Sequence, residues 1–356
     1  MSGSASVSAA RAALALAAVV GVAGCTASPT VRGFAGEAGM LSLCEGAAQC
    51  AVAPTAPNRG RSAGCGKAAA QAPGQFKEFA LTVACEAENA RDRLYYVRLP
   101  PNYDPARAYR VVYLGPGCGP PQDSTPTVSK AYPMETASDP DAILVQMEQG
   151  FYNKAEYNRG DCTDDPNGNN LCHYCFDDGA GTTCPESVEY GYFDHLHKAV
   201  EDDFCVDTDR QFFAGYSSGG WMAHQLGCQF PDVLRAQGSV TGGLPDVIKM
   251  GAKTCVDHPI AAFLIHDSAD PSNPYSGSVS ALERLLRLNE CHGDKDTASH
   301  VPYMAAGMAN TSTFDCVKYD ACLPDYPIVF CTTKGYAHDA QSGAAVPGFW
   351  QFFKSL

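Results

Sequence analysis

Three segments, in one order along the chain, carry residue types that could perform acyl transfer. They are a serine in Gly215-Tyr216-Ser217-Ser218-Gly219, an aspartate in His266-Asp267-Ser268-Ala269-Asp270-Pro271, and a histidine in Gly335-Tyr336-Ala337-His338. A serine hydroxyl attacks a carbonyl at neutral pH only when a base takes its proton, and the base needs an acid to fix its tautomer. Ser217 is the candidate nucleophile, because glycines two residues either side of it permit the sharp turn that holds Oγ clear of a sheet. Asp270 is the candidate acid and Asp267 the alternative, since both follow an apolar run; Asp246 follows no such strand. His338, the only histidine beyond His300, is the candidate base. His266 opens the acid loop and reads as structural, while His173, His195, His197 and His224 have no positional case.

Acyl transfer also needs donors for the developing oxyanion. The backbone N–H of Ser218, next after the nucleophile, is one candidate. The string Gly115-Pro116-Gly117-Cys118-Gly119-Pro120 offers another, from Cys118 first and Gly117 next, and the competing reading is a plain tight turn.

These residues need a strand before each of their loops. Arg210 to Ala214 supplies an apolar run before the serine, Ile260 to Ile265 one before the acid, Tyr326 to Cys331 one before the base, and Tyr109 to Leu114 one before the glycine string. Leu94 to Leu99, Ala142 to Met147, Leu234 to Val240 and Thr313 to Tyr319 also have strand composition. Helical spacing runs through Ser187 to Phe204, with Ser187 as its cap, Trp221 to Phe230, Ser276 to Asn289 and Val346 to Leu356. Strands alternating with helices predict an α/β fold, a mostly parallel central sheet with helices on both faces.

At 356 residues and 45% hydrophobic composition the chain can bury a sizeable core. Its net charge of −14 excludes nucleic acid or an anionic membrane surface as the main partner, because either requires a basic face. Residues 1–24 carry Arg11 and a short apolar stretch ending in Val22-Ala23-Gly24-Cys25, the pattern of a lipoprotein-type signal peptide with Cys25 as the lipidated residue; plain secretion is the alternative. Residues 25–61 read as a low-complexity tether, and residues 62–356 as one catalytic domain, expected to be a monomer. Membrane contact is expected only through a lipid at Cys25, at an outer-membrane or cell surface.

Seventeen cysteines in an exported chain predict disulfides, and removing Cys25 leaves an even number, enough for eight bridges. Cys162, Cys172, Cys175 and Cys184 could be imagined as a zinc site, but two disulfides fit an oxidising compartment better. They belong to an insertion at about 150–185 that is polar and without periodicity. Its segment Asp161 to Asn170 has oxygen side chains without the spacing of a calcium loop and reads as a solvated, stapled loop. Its aromatics, among them Tyr157, Tyr174 and Phe176, could stack on an aromatic acyl group or pack the loop onto the body, and Trp221 beside the nucleophile is a further candidate contact.

Several motifs together resemble the secreted feruloyl esterase and polyhydroxybutyrate depolymerase-like esterases. They are Asp202 to Arg210, the Gly215 elbow, Leu226-Gly227-Cys228 with Phe230-Pro231-Asp232, His266 to Pro271, Leu288 to Cys291, and Cys322 to Cys331 with His338. Ser62 to Lys67 and the Tyr103-Asp104-Pro105 turn are similar to that family's N-terminal segment. The resemblance implies an α/β-hydrolase fold, a triad on Ser217, Asp270 and His338, no metal or other cofactor, and ester substrates such as feruloylated plant polysaccharide. The chain departs from the family at Gly115-Pro116, where His-Gly is common, and at Tyr216, where a tannase-like arrangement would have a cysteine. Acetylxylan esterase and polyhydroxyalkanoate depolymerase are the alternative activities. A catalytically silent polysaccharide-binding lipoprotein is the alternative of another class.

Overall fold

The computed structural model describes residues 60–82, 93–117, 134–137, 141–148, 150–153, 171–175, 188–243, 258–308 and 313–356. All of them fall in the unit Ala53–Leu356. The signal peptide, Cys25, most of the tether, Ser187 and the 161–170 loop lie outside the described residues.

The strands are β1 (Phe76–Leu81), β2 (Arg93–Arg98), β3 (Tyr109–Gly115), β4 (Ala142–Met147), β5 (Gly150–Asn153), β6 (Leu171–Cys175), β7 (Val206–Tyr216), β8 (Ala236–Val240), β9 (Ala261–Asp267), β10 (His300–Pro302), β11 (Phe314–Tyr319) and β12 (Ile328–Thr333). The helices are α1 (Met134–Ala137), α2 (Val188–Asp203), α3 (Ser218–Gln229), α4 (Tyr275–Leu288) and α5 (Ser342–Lys354). Ten strands form one sheet in the order β1-β2-β4-β3-β7-β8-β9-β12-β11-β10. Its five central pairings, from β4 through β12, are parallel, and two antiparallel pairings flank them on each side. With a sharp strand-turn-helix at β7–α3, this is the α/β-hydrolase fold.

Side chains of the central strands alternate between two cores, as the pleat requires. Val111 and Tyr113 join one with Phe193, Leu196 and Val200 of α2, Met222 and Leu226 of α3, and Leu282 and Leu285 of α4. Val112 and Leu114 join the other with Met134 of α1 and Phe349, Trp350 and Phe353 of α5. Because both faces are covered, β4 and β9 are buried at every position, which makes them mainly apolar, Gln146 of β4 and the His266-Asp267 end of β9 apart. The antiparallel β2 keeps a period-two pattern instead.

Several elements depart from the sequence reading. Helix α5 starts at Ser342 rather than Val346, because its proline, Pro347, looks like a first-turn residue and masks the turn before it. The insertion expected to lack regular structure contains an antiparallel pair, β5 with β6, matching Tyr152 with Cys172 and Asn153 with Leu171. Strand β1 adds an edge that the sequence reading lacks, as does the three-residue β10, exposed at each position.

Disulfides join Cys65 to Cys205, Cys291 to Cys322 and Cys316 to Cys331, and Cys228 is also disulfide-bonded. Cys316 and Cys331 sit opposite each other in the β11–β12 ladder. The Cys65–Cys205 bridge spans 140 residues. Constraining an unfolded loop of that length stabilises by about 5 kcal/mol in the chain-entropy account. Among the described residues no helix is long and apolar enough to cross a membrane.

A buried histidine ties stability to pH. His224 of α3 is fully enclosed, and burial, reinforced by the charges of Arg284 and His266, pushes its pKa down to about 3. Its Nδ1 accepts a hydrogen bond from Gln237 Nε2 at 3.0 Å. The unfolded chain takes up this proton below about 6.5. The folded chain does so only near 3, so the contribution is complete above 6.5 and is lost as pH falls. Between pH 7 and pH 5 the fold should lose about 2 kcal/mol from this group. Urea midpoints at the two pH values should therefore lie closer together in His224→Gln than in the parent.

Candidate active site

The nucleophile turn is built from close backbone approaches. Ser217 has φ 54° and ψ −117°, a strained conformation for a residue with a side chain. It is held there by its own N–H, donated to Val240 O at 3.0 Å, and by the Trp221 N–H donated to Ser217 O at 3.0 Å. A Cβ on Gly219 would stand 2.0 Å from Gly115 O, and one on Gly215 would stand 2.0 Å from Gly219 O. The two glycines of the motif are therefore required by contact between β3, β7 and α3.

The structure brings Ser217, His338 and Asp270 together. His338 Nδ1 lies 2.8 Å from Asp270 Oδ2, and Nε2 lies 2.9 Å from Ser217 Oγ. A carboxylate only accepts, so Nδ1 carries the hydrogen and Nε2 presents its lone pair to the serine hydroxyl. The Asp270 side chain is fully buried while that of His338 is 20% exposed. Asp270 Oδ1 accepts the N–H groups of Ser272 and Asn273, at 2.8 and 2.9 Å.

Asp267, the alternative acid, is occupied elsewhere. Its Oδ1 accepts the Ala269 N–H, and its Oδ2 accepts the Tyr336 N–H at 2.7 Å and the Thr333 hydroxyl at 3.4 Å. It thereby fastens the loop carrying His338 to the loop carrying Asp270. Tyr216 fastens the same loop to the elbow, since its hydroxyl donates to His338 O at 2.9 Å and its ring lies against the imidazole, centroids 5.3 Å apart. Burial, and then the charges of Asp339 and Asp270, push the Tyr216 phenol up to about 12, so it remains a donor.

Of the oxyanion candidates, Ser218 begins α3, and Gly117 packs on the elbow, where an added Cβ would stand 2.8 Å from the Tyr216 ring and 3.2 Å from Ser217 Cβ. The Gly219 N–H donates to Pro116 O at 3.1 Å, which seats this loop on the start of α3. Cys118 lies outside the described residues, as do Tyr157, Phe176, Cys162 and Cys184. Tyr174 falls in β6. Trp221 is partly buried one turn beyond the nucleophile, and its indole N–H is buried with no hydrogen-bond partner among the described residues. Among the described residues no group of three or more His, Cys, Asp or Glu side chains is arranged to hold a metal ion.

No protein-family model matches the chain. Curated proteins do. The chain is 26% identical over 293 residues to a probable feruloyl esterase C of Aspergillus niger, covering 80% of this chain and 91% of that protein. It is 26% identical over 309 residues to feruloyl esterase D of Neurospora crassa, covering 85% and 92%. Among solved structures, a ferulic acid esterase of Anaeromyces mucronatus in complex with ferulic acid aligns over 79% of this chain and 90% of its own, at 16% identity and a TM-score of 0.47. The resemblance carried by the motifs thus extends along most of the chain.

Sequence reasoning missed the anchoring residues around the site. In the sequence Tyr216 stands out only by not being a cysteine, and Asn273 and Thr241 carry no signal. Asn273 Nδ2 donates to Thr241 O at 2.6 Å, and Thr241 has φ 49°, a conformation rare for a β-branched residue. Only the meeting of loops from β8 and β9 gives these residues a role.

Proposed function

We propose that the chain is a serine carboxylesterase of the feruloyl esterase type, working through an acyl-enzyme. The observation that carries this reading is the single imidazole bridging Asp270 at 2.8 Å and Ser217 Oγ at 2.9 Å. His338 Nε2 accepts the Ser217 proton as Oγ attacks the ester carbonyl, and Asp270 holds the imidazolium that results. The oxyanion faces the N–H of Ser218 and that of Cys118 or Gly117, in the loop after β3. Collapse of the tetrahedral adduct expels the alcohol, which takes its proton from His338. Water, deprotonated by the same nitrogen, then releases the acid and restores Ser217.

The names of the relatives, feruloyl esterases, support a hydroxycinnamoyl ester as the acyl donor. In this proposal its alcohol is a plant cell-wall polysaccharide. Trp221, with Tyr157, Tyr174 and Phe176 of the insertion, supplies aromatic surface for the acyl group. Export is supported by the disulfides, and Cys25 is the site of a lipid anchor on a monomeric enzyme.

Methyl ferulate, p-nitrophenyl acetate and a hydroxybutyrate oligomer separate the activities. The purified, oxidised protein should hydrolyse methyl ferulate with the highest kcat/KM. Cleavage of the acetate alone would move the assignment to an acetyl esterase, and cleavage of the oligomer alone to a polyhydroxyalkanoate depolymerase.

A further inference from the structure

Behind the Asp270 carboxylate lies a second, fully buried imidazole, that of His266. Its Nε2 is 3.0 Å from the carbonyl oxygen of Asn273 and 3.4 Å from Asp270 Oδ2, the same oxygen that faces His338. Both neighbours only accept, so Nε2 must carry a hydrogen. On the other side, Nδ1 is 2.5 Å from Ser278 Oγ and 3.1 Å from Gly242 O, and the Ser278 hydroxyl donates to that same carbonyl. The single hydroxyl hydrogen either stays on Gly242 O, leaving Oγ to accept from a protonated Nδ1, or turns to a neutral Nδ1, and Nε2–H points at the acid turn in both arrangements.

The turn it meets is tied to the nucleophile. Asn273 N–H donates to Asp270 Oδ1, and Asn273 Nδ2 donates to Thr241 O. The neighbouring carbonyl, that of Val240, accepts the N–H of Ser217. His266 therefore closes a loop of bonds running from the serine backbone through the end of β8 to the acid. Burial lowers the His266 pKa, against the opposing pull of Asn273, Gly242 and Asp270 and with a further push from His338, which favours the neutral ring. The Tyr275 ring packs nearly perpendicular to it, centroids 5.8 Å apart.

We infer that His266 is a positioning residue for catalysis: its Nε2–H, given to Asn273 O and leaning on Asp270 Oδ2, fixes the turn so that the carboxylate meets His338 Nδ1 squarely. This rests on the reading of Ser217, His338 and Asp270 as the triad. Misplacing a catalytic group by an ångström costs up to about 100-fold in rate. His266→Met, similar in volume but without the donor, should lower kcat by about 10- to 100-fold with KM unchanged. His266→Gln, whose amide N–H can occupy the place of Nε2–H, should recover most of that loss.

The variants are assayed on p-nitrophenyl acetate and methyl ferulate, with kcat taken per folded molecule. A wild-type protein inactive on every ester would defeat the triad reading. An active wild type with His266→Met at the parental kcat, or with Met and Gln equally impaired, would overturn the His266 inference alone. Should His266→Met not fold, nitrogen NMR of histidine-labelled wild-type protein decides the matter. A hydrogen on Nε2 of His266 is expected, and a neutral ring protonated only on Nδ1 would overturn the inference.

Discussion

Asp270→Asn should lower kcat by about 10⁴-fold while leaving the fold in place. The reason lies in how the two carboxylate oxygens are used. Oδ1 accepts two backbone N–H groups, from Ser272 and Asn273, so an asparagine would set its carbonyl there and turn its NH₂ toward His338. Facing a donor, Nδ1 would present its lone pair and the ring hydrogen would move to Nε2, where it blocks removal of the Ser217 proton. The outcome for Asp267→Asn is opposite in kind. Both Asp267 oxygens accept buried or part-buried donors, from Ala269, Thr333 and Tyr336, and an amide can satisfy only one side. That variant should lose about 1 to 3 kcal/mol of stability and much less activity. Steady-state kcat on p-nitrophenyl acetate and urea midpoints, measured for both variants, separate the two aspartates.

Gly219→Ala should be among the most damaging single methyl additions at the described residues. Its Cβ would stand 2.0 Å from the carbonyl oxygen of Gly115 and 2.7 Å from that of Pro116. These are backbone atoms of the sheet and of the loop leading to Gly117, and neither can swing aside as a side chain would. Helix α3 would have to withdraw from β3, carrying Ser217 and the Ser218 N–H away from their partners. A destabilisation above about 4 kcal/mol and a loss of activity beyond about 100-fold are expected. Gly343→Ala, in the first turn of α5 with nothing within 4 Å of the added methyl, is the control. It should be neutral or stabilise by up to about 1 kcal/mol, because alanine is the better helix former. Thermal unfolding of the two variants beside the parent provides the comparison.

What could be read in the sequence was whatever a local physical requirement forces. Strands covered on both faces must be largely apolar, so Ala142 to Met147, with Gln146 its one polar residue, and Ile260 to Ile265 are visible. The elbow was visible because its glycines touch backbone. Asp270 and His338 could be nominated from their places after strands, whereas their contact, across 68 residues, belongs to the folded chain. Edges were hidden for a different reason. His300 to Pro302 is short, exposed and contains a proline, and nothing in such a stretch distinguishes strand from loop. The β5–β6 pair was hidden by the polar, cysteine-rich composition around it. Asp267 shows the limit most clearly, since two acids three residues apart at the end of one strand look alike until the donors to each are counted.

The account stands on Ser217 being an activated nucleophile, and covalent labelling measures that directly. A fluorophosphonate probe added to the purified, oxidised protein should modify one residue, located by peptide mass analysis at Ser217. Labelling should disappear in Ser217→Ala and fall sharply in His338→Gln. No labelling of the folded wild-type protein, or labelling at another residue with Ser217 untouched, would contradict the account.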